Sequence, residues 1–291
     1  LKSKQQNILS DANSNFSQLL SNNLQSTNTC LDSSNTELST HVSQTESQNV
    51  VENRSIPQHN TIILSNDYTI IFPTTQPGEV RWNIESEPKS LLVKNRFKSS
   101  KPVEKMNLSP GAIQILNLPN AGGNSLESEV LSFEVLHQCF GATLLKTEME
   151  IEYFPEYSKK TDYSVMMHGH RLGVSVTRAM KFTKSSLFTS KDAIHLLEKK
   201  LFGIIVSSQN VLEEHGWEKQ ILHVWASHSY IADIIAEEFY KMSDSLRVDT
   251  LLVLTVCCKD SIAANVFTSN HEILDYIYHP YSQEDTTHTT E

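Results

Sequence analysis

The chain has 291 residues, of which 38% are hydrophobic, with a mean hydropathy of −0.33 and a formal net charge of −10. That length holds one ample domain or two small ones, and no apolar run approaches the ~18 residues a membrane span needs. The acidic balance excludes a protein held to nucleic acid by overall charge, while a local basic groove stays open.

Residues 1–59 are dominated by Ser, Thr, Asn and Gln. Such a stretch buries too little apolar surface to offset its ordering entropy, so a disordered polar tail is expected. Its two sequons, at Asn15 and Asn53, arise readily in this composition and carry no assigned role. Residues 60–120 read as a β-rich segment followed by a basic linker. Thr61-Ile62-Ile63-Leu64 and Tyr68-Thr69-Ile70-Ile71-Phe72 flank a Ser65-Asn66-Asp67 turn, and Pro73, Pro77 and Gly78 close the pair. Six basic residues between Lys89 and Lys105 face only Glu104. A solvated linker is the favoured reading of that run, with a phosphate-contacting strip as the alternative.

Residues 121–280 carry the strongest periodicity. A helix is expected over 125–140, with Leu126, Val130, Phe133, Leu136 and Phe140 inward and Gly141 ending it. Glu129 falls on the edge of that stripe, whereas Glu127 and Glu134 lie further round and read as solvated. A strand is expected over 144–153, with Glu148, Glu150 and Glu152 alternating against Met149, Ile151 and Tyr153. A hairpin follows, from 162 to 178, turning at His168-Gly169-His170. A helix with Ile194, Leu197, Leu201, Ile204 and Ile205 inward, a strand over 220–226, a helix capped by Ser229 and an apolar strand over 250–257 complete the series. Residues 281–291 read as a flexible tail. The element order is α-β-β-β-α-β-α-β, an α/β class with a mixed sheet flanked by helices. No Gly-rich first turn, P-loop or nucleophile elbow interrupts it.

A turn centred on Gly169 places Asp162 opposite Val176 or a neighbour, close to Ser175 and Thr177. Helix acid, strand, Asp-bearing strand and a further strand with a period-2 pair resemble the core of the restriction-endonuclease-like, or PD-(D/E)XK, nuclease superfamily. The likeness covers roughly residues 124–258. It implies that Glu129 and Asp162 hold Mg²⁺, with Ser175 in the acidic slot and Thr177 in the lysine slot of the motif. Both slots are neutral here. Glu150 or Glu148 would have to replace the missing acid, with Glu150 the third metal ligand, and Arg178 or Lys181 the missing cation. The resemblance implies metal-dependent phosphodiester hydrolysis, with nucleic acid as the partner, Arg178 stabilising phosphate charge, and Ser175 and Thr177 orienting water or a phosphate oxygen. The alternative keeps the fold without the catalysis, as a scaffold or protein-interaction module.

Other residues carry plainer expectations. His168 and His170 read as surface turn residues, His223 as a satisfied core or edge histidine, Cys139 as a buried inert thiol, and Trp217 and Trp225 as packing residues. The four cysteines form no CxxC pair, so a reducing compartment, nuclear or cytoplasmic, is expected. Leu1 in place of Met suggests a fragment, which removes any weight from the lack of a targeting signal.

Overall fold

The computed structural model describes residues 59–86, 89–119, 125–181 and 187–257. The polar stretch 1–58 and the tail 281–291, both expected to be disordered, lie outside the described residues. Eight strands form one mixed sheet: β1 (Asn60–Leu64), β2 (Tyr68–Pro73), β3 (Leu91–Ser99), β4 (Thr143–Thr147), β5 (Tyr163–Met167), β6 (His170–Ala179), β7 (Lys219–Ala226) and β8 (Leu251–Cys257). Their spatial order is β1-β2-β3-β8-β7-β6-β5-β4. β3, β8, β7 and β6 run parallel, and β1, β2, β5 and β4 join by antiparallel pairing.

Among the described residues six helices accompany the sheet: α1 (Gln76–Ser86), α2 (Pro110–Asn117), α3 (Leu126–Phe140), α4 (Ser190–Asn210), α5 (Ser229–Lys241) and the short α6 (Asp244–Arg247). One face packs on α1, α2 and α3, where Val80, Ala112, Ile115, Val130, Phe133 and Leu136 meet Val165, Val174, Ile221 and Trp225. The other packs on α4 and α5, where Leu197, Leu201, Ile231, Ile235 and Phe239 meet Leu222, Val224, Leu252 and Leu254. β8 therefore sits between two helical layers, which explains its unbroken apolar run.

From α3 onward the elements run α-β-β-β-α-β-α, then the short α6, then β. Three local expectations need correction. The basic stretch read as a linker is β3, an inner strand paired with β2 and β8. Its period of two, with Val93, Asn95 and Phe97 buried between charged residues, marks it as a strand. Pro77 and Gly78 open α1 rather than closing a hairpin, because the first helical turn tolerates a residue without N–H. Likewise Pro110 begins α2 behind Ser109. Finally, β4 stops at Thr147. Glu148-Met149-Glu150 form a 3₁₀ turn in which Thr147 and Glu150 make a reciprocal capping box, a local bonding pattern that outcompetes strand extension.

Candidate functional site

The hairpin of β5 and β6 turns on His168 and Gly169 with φ of 51° and 85°, the two positive values a type I′ turn requires. Met167 pairs with His170 and Tyr163 with Val174. Continuing this register puts Ser175, the neighbour of Val176, next in line with Asp162, within the expected range. The pleat of β6 decides which side chains can meet. Val174 and Val176 belong to the core beneath α3. Ser175 lies beside Leu222 and Thr177 beside Val224, both in the core beneath α4 and α5. Ser175 and Thr177 thus project from the side of the sheet opposite Glu129, which corrects their placement in a common site with it.

β6 continues to Ala179 along β7, whereas its pairing with β5 ends at Val174. The buried edge at Val176, left unpaired by β5, is where charged groups collect. Asp162 donates its N–H to the Val174 carbonyl at 3.1 Å and accepts the Val176 N–H through Oδ2 at 2.5 Å. Lys200, arriving from α4, donates to the Val176 carbonyl at 3.0 Å. Both main-chain groups of one residue are thereby occupied from side chains of different elements.

Glu129 stands on the first turn of α3 and is 4% exposed. Burial, then repulsion from Asp162, pushes its carboxyl up to about 7, with Glu148 adding and Lys200 opposing. Burial raises Asp162 to about 6, opposed by Lys200 and the Val176 amide and reinforced by Glu148. Arg178 shares the Glu129 side of the sheet. Burial draws its guanidinium below the ordinary range, while Glu129 and Glu127 pull it back.

Glu129 therefore lies within electrostatic reach of Asp162 and of Arg178, while Ser175 and Thr177 face the other side of the sheet. Glu150, expected as a third metal ligand, accepts instead from the Thr147 N–H at 2.8 Å and hydroxyl at 2.9 Å. Lys181 pairs with Asp192 at 3.0 Å. Lys200 was not singled out from the sequence. The signal was its spacing: Ala193, Leu197 and Ile204 are buried on α4, and a residue three after Leu197 and four before Ile204 shares their stripe. Among the described residues, no group of three or more His, Cys, Asp or Glu is placed to hold a metal ion.

Comparison with known proteins gives one sequence likeness. Over 151 residues, half of this chain, it is 52% identical to the "AAC-rich mRNA clone AAC4 protein" of Dictyostelium discoideum, and the match spans 22% of that protein. The chain thus covers well under two thirds of that relative. No family model and no solved structure matches. No helix among the described residues is long and apolar enough to cross a membrane.

A second polar group lies under α3 and needs a different reading. Ser132 Oγ lies 2.6 Å from the Tyr163 hydroxyl and 2.7 Å from His223 Nδ1, and His223 Nε2 lies 2.7 Å from Thr255 Oγ1. A Ser beside a His suggests a nucleophile and its base, but Ser132, His223 and Thr255 are all 0% exposed. His223 is the satisfied core histidine expected. Burial pushes its imidazole down to about 3, so it stays neutral in the fold while the unfolded chain titrates near 6.5. The unfolded state then binds the extra proton between those values. Stability falls as pH drops below about 6.5, by up to about 1.4 kcal/mol per pH unit from this group. Urea denaturation from pH 7 to pH 4 is expected to show a shallower loss in His223→Gln than in the parent. Parallel curves would remove His223 from the acid response.

Proposed function

We propose that residues 126–257 form a restriction-endonuclease-like domain of the PD-(D/E)XK kind whose acidic site no longer supports catalysis, and that the domain serves as a scaffold or interaction module. The observation that carries this reading is the content of β6 at the site. The side chains it turns toward Glu129 are Val174, Val176 and Arg178, none of which offers an oxygen to a hard cation. Lys200 supplies the opposite charge: it donates to the carbonyl of Val176, the residue whose N–H Asp162 accepts, and its charge lowers the carboxyls of both Asp162 and Glu129. Two carboxyls and a lysine offer Mg²⁺ few ligands, since a hard cation needs several oxygens held at once.

Catalytic Mg²⁺-dependent nuclease action on nucleic acid is the second reading. Its support is the nearness of Glu129 to Asp162 and to Arg178, with two carboxyls raised well above their ordinary range. Thermal unfolding in 0–10 mM MgCl₂ separates the two. The scaffold reading expects a midpoint unchanged to within about 1 °C in both the parent and Asp162→Asn. Stabilisation by Mg²⁺ that disappears in Asp162→Asn, or metal-dependent cleavage of DNA or RNA by the parent, would restore the catalytic assignment.

A further inference from the structure

The helical layer formed by α4 and α5 reaches only the start of β3, where Leu92 packs on its core and Lys94 meets Asp233, and beyond it the same face of β1, β2 and β3 carries no helix among the described residues. Strand alternation sorts this uncovered face into columns. Lys94, Arg96 and Lys98 all point outward from β3, while Val93, Asn95, Phe97 and Ser99 point into the core. Successive cations along a strand are about 6.7 Å apart, twice the residue rise, close to the separation of neighbouring phosphates in a nucleic-acid strand. Lys94 is bound to Asp233 at 2.9 Å. Among the described residues, Arg96 and Lys98 have no carboxylate partner.

Beside this column lies hydrocarbon. Ile71 pairs with Arg96 and with Ile62, and Thr69 pairs with Lys98 and with Leu64. Ile62 is 54% and Leu64 75% exposed. Next to Lys94 and Arg96 a cleft of about 310 Å³ opens between the sheet and the start of α5, lined also by Ile71, Ser229 and Ala232. A row of cations flanked by an exposed aliphatic floor matches a chain with charge on one side and flat apolar groups on the other.

We propose that this face binds single-stranded nucleic acid, with the phosphates following Lys94, Arg96 and Lys98 and the bases lying over Ile62, Leu64 and Ile71. A single strand is favoured because its unpaired bases can cover the aliphatic columns, which a duplex would leave exposed. The columns of Ile62, Leu64, Ile71, Lys94, Arg96 and Lys98 hold no aromatic ring, so recognition is of backbone and base surface rather than of sequence. The face is three strands away from the acidic site in the sheet, and the inference does not depend on the reading given there.

The test uses the full chain with fluorescent dT18, an abasic deoxyribose-phosphate 18-mer and polyglutamate, by anisotropy between 50 and 200 mM NaCl. The expected result is binding of dT18 with Kd on the order of 10⁻⁵ M at 50 mM salt and a log–log salt slope near −2, about 0.7 for each of three cations. Arg96→Gln with Lys98→Gln should weaken it at least tenfold at an unchanged thermal midpoint. Should that pair fail to fold, Lys98→Gln alone should cost about threefold. Ile62→Ser with Ile71→Thr should weaken dT18 and leave the abasic strand unaffected. The proposal is overturned by absence of binding or by indifference to the charge changes. It is equally overturned if the abasic strand or polyglutamate binds as well as dT18, which would make the face an adhesive for polyanions or a dock for an acidic protein.

Discussion

Glu134→Ala is expected to cost about 3–5 kcal/mol of folding stability, the range for stripping one partner from a buried charged network. For a folded unit of roughly 200 residues that lowers the thermal midpoint by about 10 °C. Glu134 is 0% exposed. Its carboxylate accepts four hydrogen bonds: from the Ser109 N–H at 2.9 Å, the Ser109 hydroxyl at 2.6 Å, the Tyr68 hydroxyl at 2.5 Å and Gln138 Nε2 at 2.9 Å. One side chain of α3 thereby fastens the start of α2 and the first residue of β2. Burial alone would raise its pKa, but the bonds from Ser109, Tyr68 and Gln138 outweigh burial and hold it below the ordinary carboxylate range. Its contribution is therefore present above about pH 4.5 and is lost as pH falls through the depressed value. Chemical denaturation at pH 7 is the measurement, with Glu134→Gln expected between parent and Ala. A loss under 1 kcal/mol for Ala would show that the network is not a support of the fold.

Glu129→Gln should move stability the other way. With the folded carboxyl raised from 4.5 to about 7, the folded state holds a proton that the unfolded chain has already released. That favourable contribution exists below about pH 4.5 and disappears as pH rises through 7. At pH 8 the buried charge costs up to about 3 kcal/mol, from a shift of about 2.5 units at 1.36 kcal/mol each. Glutamine keeps the shape and removes the charge. The variant is expected to melt about 5–10 °C above the parent at pH 8 and to match it near pH 4.5. A variant no more stable than the parent at pH 8 would mean that Lys200 and Arg178 already compensate the ionised acid in full. A residue whose removal stabilises the fold is kept for a reason other than stability, which is the pattern of sites under functional constraint.

Much of the second half of the chain was legible from residue spacing. The stripe of α3, its stop at Gly141, the hairpin turn at Gly169, and the helices and strands from Ser190 to Cys257 follow from local periodicity and turn chemistry. What escaped depended on partners distant in sequence. Glu134 reads as solvated because nothing near it announces that α2 will cover that side of α3 and bring Ser109 to it. Lys89 to Lys105 reads as a linker because the charges dominate the composition, while the alternating Val93, Asn95 and Phe97 that identify a strand are easily outnumbered. At the site, Glu129 and Asp162 were found by their elements. Ser175 and Thr177 were misplaced because nearness along the strand was taken for a shared face, whereas alternation sends them to the side opposite Val174, Val176 and α3.

The position of β3 has a consequence for how the protein is made. Its residues 91–97 are zipped to 251–257 of β8, so the middle of the sheet joins segments some 160 positions apart in the chain. A ribosome delivering the chain in order exposes β1, β2 and β3 long before their inner neighbour has been synthesised. The apolar residues of that early hairpin must wait, unpaired on one side, until Leu251 to Cys257 emerges. Such long-range closure makes for slow folding and leaves the growing chain dependent on protection from self-association. Cut between residues 100 and 250, neither piece would have the strand that completes its sheet.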